Sequence, residues 1–367
     1  MPTTIQQPRL YFTVTNDLTY DQRMIRICTS LASAGYIVCL VGRSKKGSVP
    51  LSALPYNQKR LFCFFEKGPL FYAEFNIRLF FYLLFQKSDG ICAIDLDTII
   101  PCYLNSRLKN VKRFYDAHEL FCEMKEIRQR PFIYNTWKLI ERLTVPYFKD
   151  GYTVNEFIAA EYFKLYGCSY EVIRSIAKYY PAKIIQKEKY ILYQGAVNEG
   201  RSFETLIPAM KEIKVPLYIC GDGNFMEATR QLVAKYQVSD KVHFMGMLTP
   251  EKLAVFTQKA YIGITLFEKD ALSNYYSLAN RFFDYLHAGT PQLCVDYPVY
   301  RKLNNLHHVA VLTDNLSADN LARQINQLLN DAQTWQTIHI NCLKAAQVLN
   351  WQNEEKVLIR FYNNRFG

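Results

Sequence analysis

The sequence predicts an α/β protein made of two doubly wound domains. Apolar runs of strand length alternate with helical segments, and glycine or acidic residues follow many of the strands. This alternation begins near residue 10 and starts again near residue 190. A chain of 367 residues with a hydrophobic content of 50% can form two cores. We therefore expect two open sheets facing each other across a cleft, with ligands beyond the carboxyl ends of the strands.

The first domain is predicted to span residues 1–175. It opens with a strand, a helix that ends at Gly35 and a second strand, which is the pattern of a parallel βαβ unit. The elements predicted in this domain are strands at 10–15, 37–41, 90–93, 111–115 and 151–154 and helices at 22–34 and 155–166.

The second domain is predicted to span residues 185–345. A boundary segment at 170–189 precedes it, with Pro181, several lysines and no strong apolar period. The elements predicted in this domain are strands at 190–193, 216–220, 242–244, 261–266 and 292–295 and helices at 203–213, 225–236 and 282–287. A charged helix is predicted near the end of the chain, at 351–362.

The formal net charge is +11, and residues 1–180 contribute +8 of it, with 24 Lys and Arg against 16 Asp and Glu. A basic first half suits an anionic partner such as a membrane surface or a lipid phosphate. The charges form no polybasic block, so general solubility is the alternative explanation. Nucleic acid is not expected as a partner, because the sequence has no zinc finger, helix-turn-helix or aromatic-basic RNA-binding pattern.

Ten cysteines are scattered without zinc-ligand spacing and are interpreted as core residues in a reducing cytosol. The N-terminus has no signal-peptide pattern. The most apolar segment, 68–86, is interrupted by Glu74 and Arg78 and is too short a clean run to span a bilayer. It is either a membrane-contacting helix or a buried core helix. The protein is therefore expected in the cytoplasm, with peripheral binding to the inner face of the plasma membrane as one alternative.

Glycines close several strands of the second domain, where backbone amides can approach a phosphate. The residues at these strand ends are Gly195, Gly221, Asp222, Gly223 and Gly246. Gly195 opens the segment GAVNEGR, in which Arg201 can neutralise a phosphate, although an ordinary turn with a surface arginine is the alternative. A dinucleotide fingerprint would need a third glycine where Met226 stands, so the Gly-Asp-Gly turn is interpreted as a tight turn near a nucleotide.

Residues 277–291, SLANRFFDYLHAGTP, are the strongest candidate for binding the diphosphate and ribose of a nucleotide ligand. Asn280 and Arg281 are expected at a helix N-terminus, where free amides and the helix dipole favour a diphosphate. Asp284 lies one turn later on the same face and can accept hydrogen bonds from ribose hydroxyls. The alternative is a capped amphipathic helix with a surface Arg281–Asp284 ion pair.

His118 is the candidate in the first domain, because it follows a predicted strand and lies between Asp116 and Glu119. The first βα loop contains Asn16, Asp17 and Asp21. Its acids either cap the following helix or face an acceptor in the cleft.

Asp95 and Asp97 follow another strand of this domain and have the same two interpretations. The acceptor-side residues are therefore predicted to be Asn16, Asp17, Asp97 and Glu119.

Taken in order, the motifs resemble those of retaining GT-B glycosyltransferases of family 4, in the subset that makes bacterial cell-surface polysaccharides. The resemblance rests on YDAHE at 115–119, YQG and EGR within 193–201, and SLANRFFDYLHAGTP at 277–291, and it covers nearly the whole chain. It implies a GT-B fold of two Rossmann-like domains. It also implies that the C-terminal helix, 346–367, packs back on the first domain.

The resemblance implies roles for individual residues. Arg201 corresponds to a basic residue that contacts the donor diphosphate, and Asp284 to an acid that contacts the ribose. His118 corresponds to a histidine near the reacting carbon of the transferred sugar. Asn280 and Arg281 are expected to contact the phosphates in this subset.

Two positions depart from the family pattern. Ala196 stands where the family has an arginine, and Tyr276 replaces the first acid of the Glu-x7-Glu motif. Glu268, in the preceding loop, is a candidate substitute for that acid. The departures concern the contacts to the phosphates and to the donor sugar.

The function implied by the resemblance is transfer of a hexose from a UDP- or GDP-linked donor to a glycan or lipid-linked acceptor. Anomeric configuration is retained, and no metal or other cofactor takes part. Arg201, Arg281 and helix amides would stabilise the charge of the leaving diphosphate. One alternative is a nucleotide-sugar epimerase of the same fold, which needs no acceptor. Another is a non-catalytic partner subunit, which the departures from the motif leave open.

Overall fold

The computed structural model describes residues 7–181 and 185–367. Residues 1–6, which belong to the predicted first domain and to the segment without a signal-peptide pattern, lie outside the described part. Residues 182–184, within the predicted boundary at 170–189, also lie outside it. The chain divides into two compact units, one of the residues up to Ser175 with Gln352–Gly367 and one of Ile176–Trp351.

The first unit contains a seven-stranded parallel sheet in the order β3-β2-β1-β4-β5-β6-β7. Its elements are β1 Arg9–Thr13, α1 Gln22–Ser33, β2 Ile37–Arg43, β3 Asn57–Leu61, α2 Gly68–Leu84, β4 Gly90–Ile94, α3 Ile99–Lys109, β5 Lys112–Ala117, α4 Lys125–Arg128, α5 Pro131–Thr144, β6 Asp150–Thr153, α6 Glu156–Tyr166 and β7 Glu171–Val172. The order reverses between β1 and β4, so the carboxyl ends of these two strands form the switch point where ligands bind in open sheets.

The second unit contains a six-stranded parallel sheet in the order β10-β9-β8-β11-β12-β13, which reverses between β8 and β11. Its elements are β8 Glu188–Gln194, α7 Phe203–Ala209, β9 Leu217–Cys220, α8 Met226–Tyr236, β10 Val242–Gly246, α9 Pro250–Lys259, β11 Ala260–Thr265, α10 Leu272–Tyr275, α11 Asn280–His287, β12 Gln292–Val295, α12 Pro298–His307, β13 Ala310–Thr313, α13 Ala318–Asn330 and α14 Ala332–Ala346. Two separate parallel sheets with helical connections confirm the predicted α/β class.

The last helix, α15 (Trp351–Phe366), packs its aromatic side chains on the sheet of the first unit. Tyr362 is fully buried, with its ring 4.9 Å from that of Phe114 and 6.1 Å from that of Phe12. Asn363 accepts a hydrogen bond from the hydroxyl of Tyr36, and Arg365 forms an ion pair with Asp150. The helix therefore supplies part of the core of the first unit.

Several predicted boundaries were wrong. The helix predicted at 203–213 ends at Ala209 and continues as a 3-10 turn over Met210–Glu212, which is a common way for a helix to end. The strand predicted at 10–15 ends at Thr13, and one further backbone bond, from the amide of Val14 to the carbonyl of Val41, follows it. Strand β3 was not predicted, because NQKRL is a polar edge strand without an apolar run.

All ten cysteines are buried free thiols, as predicted for core residues. The segment predicted at 68–86 forms α2, which ends at Leu84. Within the described ranges, no helix has both the length and the hydrophobicity needed to cross a membrane.

We expect Tyr362→Ala to lower the free energy of unfolding by about 3–5 kcal/mol, because it removes a buried aromatic ring and leaves a cavity. Chemical denaturation followed by circular dichroism measures this change. Lys356→Ala is the matched control on the exposed side of the same helix and is expected to stay within about 0.5 kcal/mol of the original protein. Equal losses in the two variants would contradict the role of α15 in the core.

Candidate functional site

The carboxyl ends of β8 and β9 meet in the second unit without side chains between them. A Cβ atom added to Gly221 would lie 1.9 Å from the carbonyl oxygen of Gly195, so a side chain at this position would clash with backbone. Both glycines have positive φ angles, 117° at Gly195 and 152° at Gly221. The amide of Gly221 donates to the carbonyl of Gly246, which ties the end of β10 to the same edge. These three predicted residues are therefore brought together at the edge of the sheet.

Arg281 lies in the first turn of α11 with its guanidinium directed into the unit rather than toward solvent. Its residue is 7% exposed, and its guanidinium carbon lies 4.7 Å from the ring centroid of Tyr193 and 4.6 Å from that of Phe267. The predicted alternative of a surface Arg281–Asp284 pair is therefore wrong. The burial follows from the helix, since Phe282, Phe283 and Leu286 beside it are core residues.

The hydrogen bonds of Arg281 are long. Nη1 lies 3.3 Å from the hydroxyl of Tyr193 and 3.4 Å from the carbonyl of Gln194, and Nη2 lies 3.4 Å from the carbonyl of Leu266. Good N–H···O bonds measure about 2.7–3.2 Å. Nε is buried without a hydrogen-bond partner among the described residues. A buried cation with such weak bonds has capacity to bind an anion. Gly195 keeps this possible, since even a Cβ there would lie 3.3 Å from Nη1.

Arg201 contacts the same aromatic ring as Arg281. Its guanidinium carbon lies 4.6 Å from the ring centroid of Phe267, and its Nη1 donates to Oδ1 of Asn274 at 2.8 Å. Phe267 and Asn274 were not predicted as site residues, because no local motif marks them. Two cationic side chains predicted to contact the diphosphate are thus gathered around one phenylalanine.

Asp284 is half-buried, and its carboxylate accepts a hydrogen bond of 2.8 Å from Nε2 of Gln194. Gln194 is held in turn by the hydroxyl of Thr257, which donates to its Oε1 at 2.7 Å. A carboxylate has about four acceptor sites, so Asp284 is oriented without being saturated by this bond. Asn280, the first residue of α11, is exposed. Gln194 therefore positions Asp284. It lies within the motif YQG but was not predicted as a site residue.

The other predicted donor-side residues lie in the loops of the same edge. Glu268 is half-buried, and its amide donates to the carbonyl of Gly200, which joins the loop after β11 to the loop after β8. Asp222 is exposed, and its carboxylate accepts from the amide of Gly223, so it shapes the turn. Tyr276 ends α10, with its ring 5.3 Å from that of Tyr275. The structure assigns no ligand contact to these residues.

In the first unit, His118 follows β5 and lies between two carboxylates. Its Nδ1 is 3.3 Å from Oδ2 of Asp95 and its Nε2 is 3.2 Å from Oδ2 of Asp116, while its amide donates to Oδ1 of Asp95. Burial alone lowers the pKa of His118, but the charges of Asp116 and Asp95 outweigh it and raise the pKa well above the usual value. The two carboxylates therefore favour the protonated form of His118, whose side chain is 25% exposed.

Asp116 is fully buried and forms a two-point ion pair with Arg23 of α1. Nη2 and Nε of Arg23 lie 2.7 Å and 3.2 Å from the two carboxylate oxygens. Arg23 also donates to the carbonyl of Ile173. Burial alone raises the pKa of Asp116, but Arg23 and His118 outweigh it and hold that pKa below its usual range. Arg23 was not predicted as part of the site, although it fixes the acid that fixes His118.

Asp95 and Asp97 lie at the switch point of the first sheet. Asp95 has a φ of 52°, which is a strained conformation for a residue with a side chain. Burial raises the pKa of Asp97 to about 7, and the hydroxyl of Thr15, which donates to it at 2.5 Å, limits the rise. In the described part of the chain, no group of three or more His, Cys, Asp or Glu side chains is arranged to hold a metal ion.

The remaining acceptor-side predictions mainly stabilise loops. Asn16 donates to Asp21 at 2.7 Å, and Asp21 caps α1 by accepting from the amide of Met24. Asp17 accepts from the amide of Thr19 within the same loop. For Asp21, the structure supports the helix-capping interpretation.

Glu119 is half-buried directly after His118 in the chain, and its carbonyl accepts from the hydroxyl of Tyr162. The first unit therefore brings together His118, Asp95 and Asp116, with Asp97 and Thr15 at the neighbouring strand end.

Residues 180–341 match the family model described as glycosyl transferases group 1. The matched segment lies within the second unit and contains the glycine-lined edge, Arg201 and Arg281. None of the curated proteins compared with the chain matches it. Over this part of the second unit, the chain is similar to glycosyl transferases of group 1.

Three solved structures illustrate the fold. Sucrose-phosphate synthase from Thermosynechococcus elongatus is 18% identical, with a TM-score of 0.79 over 98% of this chain and 99% of that chain. WaaG, a glycosyltransferase involved in lipopolysaccharide biosynthesis, is 14% identical, with a TM-score of 0.74 over 95% and 98%. HepE from Anabaena, in complex with UDP-glucose, is 11% identical, with a TM-score of 0.72 over 98% and 100%. The two sheets thus form the predicted GT-B fold.

The pKa of His118 tests the arrangement in the first unit. Asp95→Asn removes one of the two neighbouring negative charges, so we expect the pKa of His118 to fall by about one pH unit or more. An NMR titration of the His118 ring protons measures this. Asp240→Asn, at an exposed acid of the second unit, is the control and should leave the pKa unchanged. An unchanged value in Asp95→Asn would remove Asp95 from the set of groups that keep His118 protonated.

The same shift links stability to pH. The folded-state pKa of His118 lies above its usual value of 6.5, so its protonation stabilises the fold fully below that value. This contribution is lost as the pH rises through the raised folded-state pKa.

Proposed function

We propose that the chain transfers a hexose from a nucleotide-diphosphate sugar to a glycan or lipid-linked acceptor, with retention of anomeric configuration. The observation that carries the proposal is the pair of guanidinium groups, of Arg201 and Arg281, each 4.6 Å from the ring of Phe267. They lie in the segment that matches the glycosyltransferase family, and Arg281 also contacts the loop that begins at Gly195. A buried, weakly bonded cation beside a glycine turn suits a diphosphate.

The chemistry places most of the developing charge on the leaving group. The bond between the anomeric carbon and the diphosphate oxygen breaks, its electron pair stays on that oxygen, and the acceptor hydroxyl oxygen bonds to the anomeric carbon. The hydroxyl proton passes to the departing diphosphate on the same face of the sugar. Arg201 and Arg281 would stabilise the added negative charge more strongly in the transition state than in the bound donor. No paired catalytic carboxylates are needed, unlike in glycoside hydrolysis.

The nucleotide is proposed to be UDP or GDP, and UDP is supported by the complex of HepE with UDP-glucose. Asp284, held by Gln194, would accept the ribose hydroxyls, with Asn280 near the phosphates. A role in cell-surface polysaccharide synthesis is supported by the similarity in fold to WaaG. The proposed place of action is the cytoplasm, at the inner face of the plasma membrane.

The first unit is proposed to supply groups to the sugar and the acceptor. His118 is proposed to contact the transferred sugar with the exposed part of its side chain, while the carboxylates of Asp95 and Asp116 hold the ring in place through its two nitrogens. Asp97, whose pKa is about 7, can accept from an acceptor hydroxyl. Glu268 is proposed to take the place of the sugar-contacting acid that Tyr276 replaces.

Binding of the leaving nucleotide tests the donor site directly. A thermal-shift series with UDP, GDP and ADP identifies the base, because a ligand that binds only the folded protein raises its Tm. We then expect Arg201→Ala to weaken binding of the preferred diphosphate about 10- to 100-fold, from the loss of a charge-assisted hydrogen bond. Isothermal titration calorimetry measures the Kd.

Arg230→Ala is the matched control for Arg201→Ala. Arg230 also lies over an aromatic ring of the second unit, 4.3 Å from the centroid of Phe244, but belongs to α8 and not to the glycine-lined edge. Its replacement should change the Kd by less than about twofold. Equal effects of the two variants, or no binding of any of the three diphosphates, would contradict the donor site.

Stereochemistry tests the reaction. We expect purified protein given a nucleotide sugar and an acceptor to form a product with the anomeric configuration of the donor, as NMR of the product can show. Activity should persist in EDTA, because the two arginines are proposed to take the role of a metal. An inverted product or loss of activity in EDTA would overturn the retaining, metal-independent mechanism. Conversion of the sugar nucleotide without an acceptor would instead indicate an epimerase.

A further inference from the structure

Three neighbouring helices of the first unit each expose a stripe of large apolar side chains. The stripes repeat at intervals of four or seven residues, so each runs along one side of its helix. We call this set the apolar face, and it consists of Leu70, Ile77, Phe81 and Phe85 on and just after α2, Ile100, Leu104 and Leu108 on α3, and Phe132, Leu139 and Leu143 on α5. Their exposed fractions range from 37% at Ile100 to 84% at Phe132.

The three helices are fixed to one another by contacts beneath these stripes. Asn105 of α3 donates to the carbonyl of Phe80 on α2, and Lys109 donates to carbonyls at the C-terminal end of α2. On the other side of α3, the ring of Tyr103 lies 5.2 Å from that of Tyr147, which follows α5. The stripes therefore belong to one connected surface.

The apolar face is separate from the side that packs on the sheet. On α2, the buried residues are Phe71, Phe75, Leu79 and Leu83, whereas Ile77 and Phe81 are more than half exposed. Residues 68–86 were predicted to form either a buried core helix or a membrane-contacting helix. One side of α2 is buried in the core, and the opposite side is exposed.

The exposed charges on the three helices of the apolar face are positive. The only acids within α2, α3 and α5, all of whose residues the structure describes, are Glu74 and Glu141. Glu74 is bonded to Arg78 and to backbone amides, and Glu141 is buried and paired with Lys138. The exposed charges on these helices include Arg107 and Arg142. The face thus combines apolar side chains with cations.

The surrounding unit has the same sign. The first unit has 26 Lys and Arg against 18 Asp and Glu, which is +8 of the net charge of +11. A membrane surface that contains anionic lipids attracts such a unit, and apolar side chains enter its headgroup region. A second protein would need acids to match the exposed cations.

We propose that the apolar face docks on the surface of a bilayer that contains anionic lipids. The side chains of α2, α3 and α5 would enter the boundary between headgroups and acyl chains, and Arg107 and Arg142 would contact lipid phosphates. The helices would lie along the membrane and not cross it. This docking does not depend on the reaction proposed above, because binding to vesicles requires neither donor nor acceptor.

Vesicle flotation tests the docking. The original protein is expected to float with vesicles of phosphatidylglycerol and phosphatidylcholine in low salt and to bind less in high salt, where charges are screened. Ile77→Ser combined with Phe81→Ser is expected to weaken binding at least about tenfold, since two apolar side chains no longer enter the bilayer. Arg107→Gln combined with Arg142→Gln should remove much of the salt dependence.

The control pair is Val255→Ser with Leu306→Ser, on α9 and α12 of the second unit. These side chains are 50% and 67% exposed, comparable to 58% for Ile77 and 53% for Phe81. The control should float like the original protein, and circular dichroism should show both pairs folded. Failure of the original protein to bind, or equal binding of the Ile77/Phe81 variant, would overturn the proposal. A dimer in sedimentation that the Ile77/Phe81 changes dissociate would overturn it in favour of a second copy of the chain.

Discussion

The close approach of two loops in the second unit is the constraint on which the candidate donor site depends. A Cβ at Gly221 would collide with the backbone of Gly195, and a Cβ at Gly195 would lie 3.3 Å from Nη1 of Arg281, so both positions favour glycine beside this guanidinium. Arg281 is buried with long hydrogen bonds, which costs free energy in the unliganded protein. An anionic ligand would offset that cost, so the arrangement that weakens the free protein strengthens binding of a diphosphate.

The first unit also contains a buried arginine, but the charge of this arginine is paired within the fold. Arg23 is buried but has a two-point bond to Asp116, so its charge is compensated within the fold. Asp116 then lies against His118 and, together with Asp95, raises the pKa of that histidine. Loss of Arg23 would leave Asp116 buried and paired with His118 alone. Replacement of this buried helix residue would therefore affect His118, although the effect would pass through Asp116.

The sequence predicted those parts of the site that are local in the chain. Glycines after strands and the first turn of α11 lie within short motifs, and their positions follow from strand ends alone. The partners of these residues could not be predicted, since they are distant in the chain. Arg23 and Asp116 are 93 residues apart, Gln194 and Asp284 are 90 apart, and Arg201 and Asn274 are 73 apart. Such pairs depend on strand order and on the burial of each helix, which the apolar pattern does not determine.

The apolar face is a second feature that could not be predicted from the sequence. The composition of residues 68–86 predicts an apolar helix but not which side is buried, because apolar residues lie on both sides of α2. Single exposed leucines need no explanation in a folded protein. Here the core needs only the side of α2 that carries Phe71, Phe75, Leu79 and Leu83. Polar residues at Ile77 or Phe81 would leave that packing intact, so the stability of the fold does not account for the apolar face, whereas the proposed docking on a bilayer would.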